Sequence, residues 1–222
     1  MELSFWQSKW EKGQTGFHME KVYPPLMQHI DSIPLPEDAN ILVPLCGKSH
    51  DLYWLRNQGY NVIGVEVSPI ALKHIRDQNS EPFSHYQKGS FKIFKCSRLQ
   101  LWQGDFMKLK LSWLPSIHLV YDKAALIALP PLQRVYYAHK VEQILSSGHG
   151  RLFQQTFEYE QTEMEGPPFS VPQSELEDHY GPNFNIELLM EKDAPELLER
   201  FQKRGMKSYL EEKIFHIYPK NQ

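Results

Sequence analysis

The sequence predicts an α/β protein built on a doubly wound, mostly parallel sheet. Short apolar runs alternate with helical segments along the chain, the pattern of right-handed βαβ units. Sixteen prolines fall mostly between those segments, as punctuation. A length of 222 residues suits one domain of moderate size, taken here as residues 1–222.

The elements follow in order. Residues 41–46 (Ile41 to Cys46) form a short apolar run, a buried strand in which Pro44 fits best at the end. Ser49 caps a helix through about Gln58, with Gly59 as its stop. Residues 61–67 are β-branched and apolar, hence a second buried strand. Ser68-Pro69 starts the next helix, which runs to about Gln78. Within 83–104, "FKIF" and "RLQLWQGDF" alternate as two strands do, and 117–122 make another. Leu132, Val135, Tyr136, Ala138, Val141 and Leu145 mark a helix ending near Gly148. After it come a strand at 151–159, a loop at Gly166-Pro167-Pro168, and a helix at 173–180. Strands near 184–190 and 208–217, with a helix at 194–203, complete the series.

Composition narrows the partners. Apolar residues make up 41% and charged residues 23%, with a formal charge of −3 and no long basic run, which argues against a nucleic-acid track. Cys46 and Cys96 form no CxxC pair, so reduced thiols are expected, not a zinc knuckle. No secretory h-region and no run of membrane-helix length stands out, so the expectation is a cytoplasmic protein that binds no membrane. No coiled-coil heptads are present, and a monomer is expected.

Ligands of doubly wound sheets bind at the carboxyl ends of the strands, so the residues just after each strand matter most. After the first strand stands "PLCGKS". A phosphate loop of the form G-x-x-x-x-G-K-[ST] would need glycine at position 42, which is Leu42. A dinucleotide fingerprint needs three glycines, and only Gly47 is here. Glu66 lies 19 positions after Gly47, at the end of the second strand, where a carboxylate can accept both hydroxyls of a ribose. A ribose acid without a phosphate cradle points to a nucleoside without phosphates, and S-adenosylmethionine is the obvious one. The alternative is a plain surface acid at a strand end.

"PLCGKS" followed by "GVEVS" resembles the thiopurine S-methyltransferase family. So do "WQSKWEKGQTGFH" (6–18), "YDKAALIALPPLQRVYY" (121–137) and "GPPFSVP" (166–172). The resemblance spans nearly the whole chain, with four separated motifs in order. It implies a Rossmann-like class I methyltransferase fold, a seven-stranded sheet with helices on both faces. It implies methyl transfer from S-adenosylmethionine to the sulfur of aromatic and heterocyclic thiols. Carried over by position, the cofactor contacts are Trp6, Trp10, Leu45, Gly47, Glu66, Asp105, Phe106 and Lys123, and Phe17 sits on the substrate side. Residues 1–35 become a helical lid over the cofactor.

Each carried-over role has a structural alternative. Trp6 and Trp10 share a helical face and, without the resemblance, would read as core anchors. Asp105 is either an adenine contact or a surface turn acid, and Phe106 either stacks near adenine or is core. Cys46 reads as structural. In the family it resembles, most members carry arginine where this chain has Lys123, and lysine lacks the planar two-pronged contact, so affinity or substrate range is expected to shift. Lys123 can favour a thiolate at the acceptor; Asp122 either accepts a proton or holds Lys123. No metal is expected. An Asn/Asp-Pro-Pro-aromatic motif of amino-group methyltransferases is lacking, since the position reads Asp122-Lys123-Ala124-Ala125. Selenide, inorganic or alkyl thiol acceptors stay open, as does a cofactor-binding module with weak catalysis.

Overall fold

The computed structural model describes residues 3–220, which fall into two compact units, one up to Val120 and one from Tyr121 onward. The first unit begins with α1 (Leu3–Glu11), α2 (Pro24–His29) and a 3-10 turn at Ile30–Ser32. Then come β1 (Asn40–Pro44), α3 (Asp51–Asn57), β2 (Asn61–Glu66) and α4 (Pro69–Asp77). They are followed by β3 (Ser84–Lys88), β4 (Phe91–Cys96), β5 (Leu99–Gln103) and β6 (Leu119–Asp122), whose last two residues open the second unit. The order in this part of the sheet is β3-β4-β5-β2-β1-β6. β1 runs parallel to β2 and β6, and β2 parallel to β5, so the alternating pattern of the sequence is realised as parallel βαβ units.

Packing explains why these segments are strands. Ile41, Leu42 and Val43 of β1 and Val62, Ile63 and Val65 of β2 are all buried, as strands covered on both faces must be. Gly64 is required where it stands. A Cβ there would lie 2.9 Å from Cys46 Sγ and 3.1 Å from Leu52 Cδ2, so only glycine lets α3 and its preceding loop close on the sheet. Pro44 ends β1 as expected, where its missing N–H breaks no ladder. Ser68 caps α4 through the Ala71 amide at 3.2 Å. α3 starts at Asp51, later than the Ser49 cap predicted, and the Ser49 hydroxyl instead accepts from the Asp51 amide at 3.2 Å.

Two expectations are corrected here. Residues 83–104 hold three strands, not two. The extra one, β3, is a largely exposed edge segment, "SHYQK", whose polar sequence carries no burial period. The described residues contain nine strands rather than the seven implied by the family resemblance. The antiparallel pair β3 and β4 stands outside the βαβ alternation and accounts for the difference.

The second unit contains α5 (Pro131–Gly148), β7 (Arg151–Glu158), α6 (Gln173–Tyr180), β8 (Phe184–Asp193), α7 (Pro195–Gln202) and β9 (Glu211–Pro219). β9 lies between β7 and β8, antiparallel to both. Burial of Lys213 on β9 lowers its pKa, but Glu191, Glu158 and Glu211 at 2.8–3.0 Å together outweigh that and raise it. Arg134 of α5 grips Glu175 of α6 with two bonds of 2.6 and 2.8 Å. The face of α5 differs from the predicted one. Leu132, Val135 and Tyr136 are exposed, and Arg134, Tyr137, Ala138, Val141, Ile144 and Leu145 are buried. The helix also takes in Gly148 and passes the left-handed position to His149 (φ 50°). No helix of the described residues is long and apolar enough to cross a membrane.

Candidate functional site

The parallel register of β1 and β2 brings their carboxyl ends side by side, with Pro44 opposite Val65. Beyond that point the chain turns sharply. Leu45 (φ 49°) and Gly47 (φ 55°) both take left-handed backbone, which costs a leucine about 1–2 kcal/mol. The turn is held by the Cys46 amide on the Val65 carbonyl at 3.0 Å. It aims the Gly47 amide at the Glu66 side chain: Gly47 N donates to Oε2 at 2.9 Å, and Ser68 N donates to Oε1 at 2.7 Å. At the end of β5, the Gly104 amide donates to the Glu66 carbonyl at 2.9 Å. The turns after β1 and β2 thus meet at one carboxylate, and the end of β5 joins the same residue through its main chain.

Glu66 is buried, at 6% exposure. Burial raises its pKa, and the amides of Ser68, Gly47 and Val67 oppose that rise. A carboxylate has about four acceptor positions, so these three amides leave it capacity for a further donor. Two neighbouring hydroxyls are the natural match.

Helix α1 closes on this loop. The Trp10 ring packs on Gly47, where a Cβ would meet Trp10 Cζ2 at 3.3 Å. Phe17 meets Trp6 and Trp10 edge to face, with centroids 5.5 and 5.6 Å apart, and is itself 42% exposed. The Trp6 indole Nε1 is buried without a hydrogen-bond partner, a group that would normally find an acceptor. Tyr23 N donates to the buried Asp51 carboxylate at 2.8 Å, tying the N-terminal segment to α3. The sequence does not single out Asp51. Its only cue is an acid in a helix first turn, a position where surface acids are also common. Ser68 was seen as a cap, and its amide on Glu66 is the further contact the structure adds.

The remaining residues of this unit are placed as follows. Asp105 is half-buried and its Oδ1 accepts from the Met107 amide at 2.9 Å, capping a short 3-10 turn. Phe106 is buried. Cys46 is buried, and burial followed by the charge of Glu66 pushes its thiol pKa well up, so it stays protonated and serves packing. An adenosyl group fits the chemistry of these residues: a buried carboxylate, neighbouring aromatic rings, and an indole donor without a partner.

In the second unit, Asp122 is fully buried. Its Oδ1 accepts from the Ala125 and Leu126 amides at 3.0 and 3.2 Å, and its Oδ2 from the Tyr137 hydroxyl at 2.7 Å. Burial raises its pKa to about 6, against the opposing pull of those donors. Lys123 follows at a half-buried position, and Ala124 turns the chain with φ 65°.

The thiopurine S-methyltransferase family profile matches residues 1–220. The chain belongs to the thiopurine S-methyltransferase family. Among its relatives in that family is the thiopurine S-methyltransferase of Pseudomonas fluorescens, 38% identical over 218 residues, covering 98% of this chain and 99% of that one. Another is that of Marinobacter nauticus, 36% identical over 220 residues, covering 99% and 100%. Solved structures agree on the fold. A S-adenosylmethionine-dependent methyltransferase from Anabaena variabilis superposes with a TM-score of 0.66 at 12% identity, covering 98% of this chain and 95% of that one. The Burkholderia thailandensis 1,6-didemethyltoxoflavin-N1-methyltransferase, solved with S-adenosylhomocysteine, gives 0.64 at 14% identity, covering 99% and 87%. The family resemblance and the methyltransferase fold read from the sequence both hold.

Proposed function

We propose that this member of the thiopurine S-methyltransferase family binds S-adenosylmethionine on its first unit and methylates the sulfur of aromatic or heterocyclic thiols. The observation that carries the reading is the buried Glu66 carboxylate, presented by the Gly47 and Ser68 amides beneath Trp10. S-adenosylmethionine supplies an electrophilic sulfonium methyl group, passed by in-line displacement to a thiolate.

The chain's own residues bind and orient. Glu66 accepts the ribose hydroxyls, Leu45 and Gly47 form the floor, and Asp105 and Phe106 serve the adenine end. Trp6 and Trp10 cover the sulfonium, a contact worth about 0.5–2 kcal/mol, and exclude water. Phe17, exposed on one side of this cluster, lines the acceptor. Residues 1–35 act as the lid, of which 1 and 2 lie outside the described residues. Lys123 favours the thiolate through its charge. Asp122 has both oxygens engaged by protein donors, so its role is to hold the turn that carries Lys123; the acceptor proton goes to water. The whole chain works as one methyltransferase domain, cytoplasmic and monomeric, in keeping with its composition and its lack of a basic track.

Purified protein with methyl-labelled S-adenosylmethionine tests this against 6-mercaptopurine, thiophenol, a small alkyl thiol and selenide. Label is expected on the two aromatic thiols. Lys123→Met should lower kcat/KM at least ~10-fold, and Lys123→Arg should retain activity because charge is kept. Label on selenide or the alkyl thiol alone would reassign the acceptor. Binding without any label would leave a cofactor-binding module.

A further inference from the structure

We propose that His18, Glu20 and His50 form a site for a divalent transition-metal cation of the zinc class. The site is separate from the methyl-transfer groups and independent of their assignment. One ligand atom from each residue lies within 4.8 Å of the other two. His18 Nε2 is 3.8 Å from Glu20 Oε1, and the two imidazoles face each other with centroids 5.5 Å apart and planes tilted by 39°. Zinc bonds of about 2.0–2.1 Å place tetrahedral ligands roughly 3.3 Å apart, so the three side chains need to draw in by about 1 Å. The Glu20 side chain is 87% exposed and can swing in without disturbing packing. The His18 side chain is 6% exposed and its main chain is fixed by a bond to the Thr15 carbonyl at 2.8 Å. One ligand is thus rigid and one is mobile, and the exposed carboxylate leaves an entry path.

The donor set selects the class of ion. Two imidazoles and one carboxylate suit zinc, nickel or copper, whereas magnesium and calcium take oxygen ligands. Three protein ligands leave a fourth position to water. The cation would join two segments far apart in sequence. His18 follows Phe17, which packs on Trp6 and Trp10, and His50 directly precedes α3 at the end of the Gly47 loop. A bound ion therefore pins the segment carrying Phe17 to the loop beneath Trp10.

The test uses the full chain stripped of metal, titrated with zinc chloride against a chromogenic chelator, with magnesium as a control. One equivalent of zinc should bind with a micromolar or tighter Kd, and magnesium should not compete. Glu20→Gln should weaken zinc at least ~10-fold, and His50→Gln should abolish the site. Amide exchange at residues 13–20 should slow on zinc addition in the wild type and not in Glu20→Gln. Thermal unfolding checks that His50→Gln is folded, and the exposed Glu20 position makes the result independent of that variant. No saturable zinc, or zinc binding unchanged in both variants, would overturn the site. Zinc bound there with unchanged exchange at 13–20 would overturn the pinning.

Discussion

Replacing Glu66 by glutamine is expected to raise the Kd for S-adenosylhomocysteine about 30–1000-fold while leaving the protein folded. The carboxylate is an acceptor on both oxygens, and the Gly47 and Ser68 amides already point at it. In the glutamine variant the side-chain NH2 must face one of those N–H donors or the ribose hydroxyls. Hydrogen bonds to a charged acceptor are worth about 1.5–3 kcal/mol each, and a net loss of about 2–4 kcal/mol gives the stated range. Stability should change far less. The raised pKa of Glu66 shows that ionising it in the folded protein is costly, and a neutral amide is spared that cost. Calorimetric titration beside a thermal melt measures both. An unchanged Kd would remove Glu66 from the ribose.

Asp122→Asn is expected to flatten the pH dependence of folding stability. The Asp122 pKa is 3.8 in its ordinary state and about 6 when folded. Between those values the folded chain holds a proton that the unfolded chain has released, so stability falls as pH rises from about 4 to about 6, and is level above that. A displacement of this size corresponds to roughly 3 kcal/mol for a fully buried group. Asparagine can keep the arrangement: its carbonyl accepts from the Ala125 and Leu126 amides, and its NH2 can donate to the Tyr137 oxygen. Urea midpoints at pH 4.5 and 7 should converge in the variant relative to wild type, once other groups' shared slope is subtracted. If Asp122 instead removed the acceptor proton, Asp122→Asn would cut kcat sharply and shift its pH profile; if it positions the Lys123 turn, activity should survive to within about tenfold.

Much of the fold was legible because β1 and β2 are buried on both faces, leaving unbroken apolar runs bounded by Gly59 and Ser68-Pro69. Edge strand β3 was not, because an exposed strand has no reason to alternate. The buried face of α5 is not legible because its core contacts include Arg134 and Tyr137, polar residues whose burial depends on partners outside the helix, Glu175 and Asp122. In the candidate site, Glu66 and Gly47 were readable from strand position. The amide contacts that fix Glu66, the orphan Trp6 indole and the His18–Glu20–His50 grouping depend on three-dimensional proximity. Single-sequence spacing carries no trace of them.

The proposed site puts the adenosyl group on Glu66 beneath the tryptophan lid. A crystal structure of the protein with S-adenosylhomocysteine tests it most directly. Both ribose hydroxyls are expected within hydrogen-bonding distance of the Glu66 carboxylate, with Trp10 over the ligand and the Trp6 indole paired to it. Ribose density elsewhere, with Glu66 still holding only main-chain amides, would contradict it.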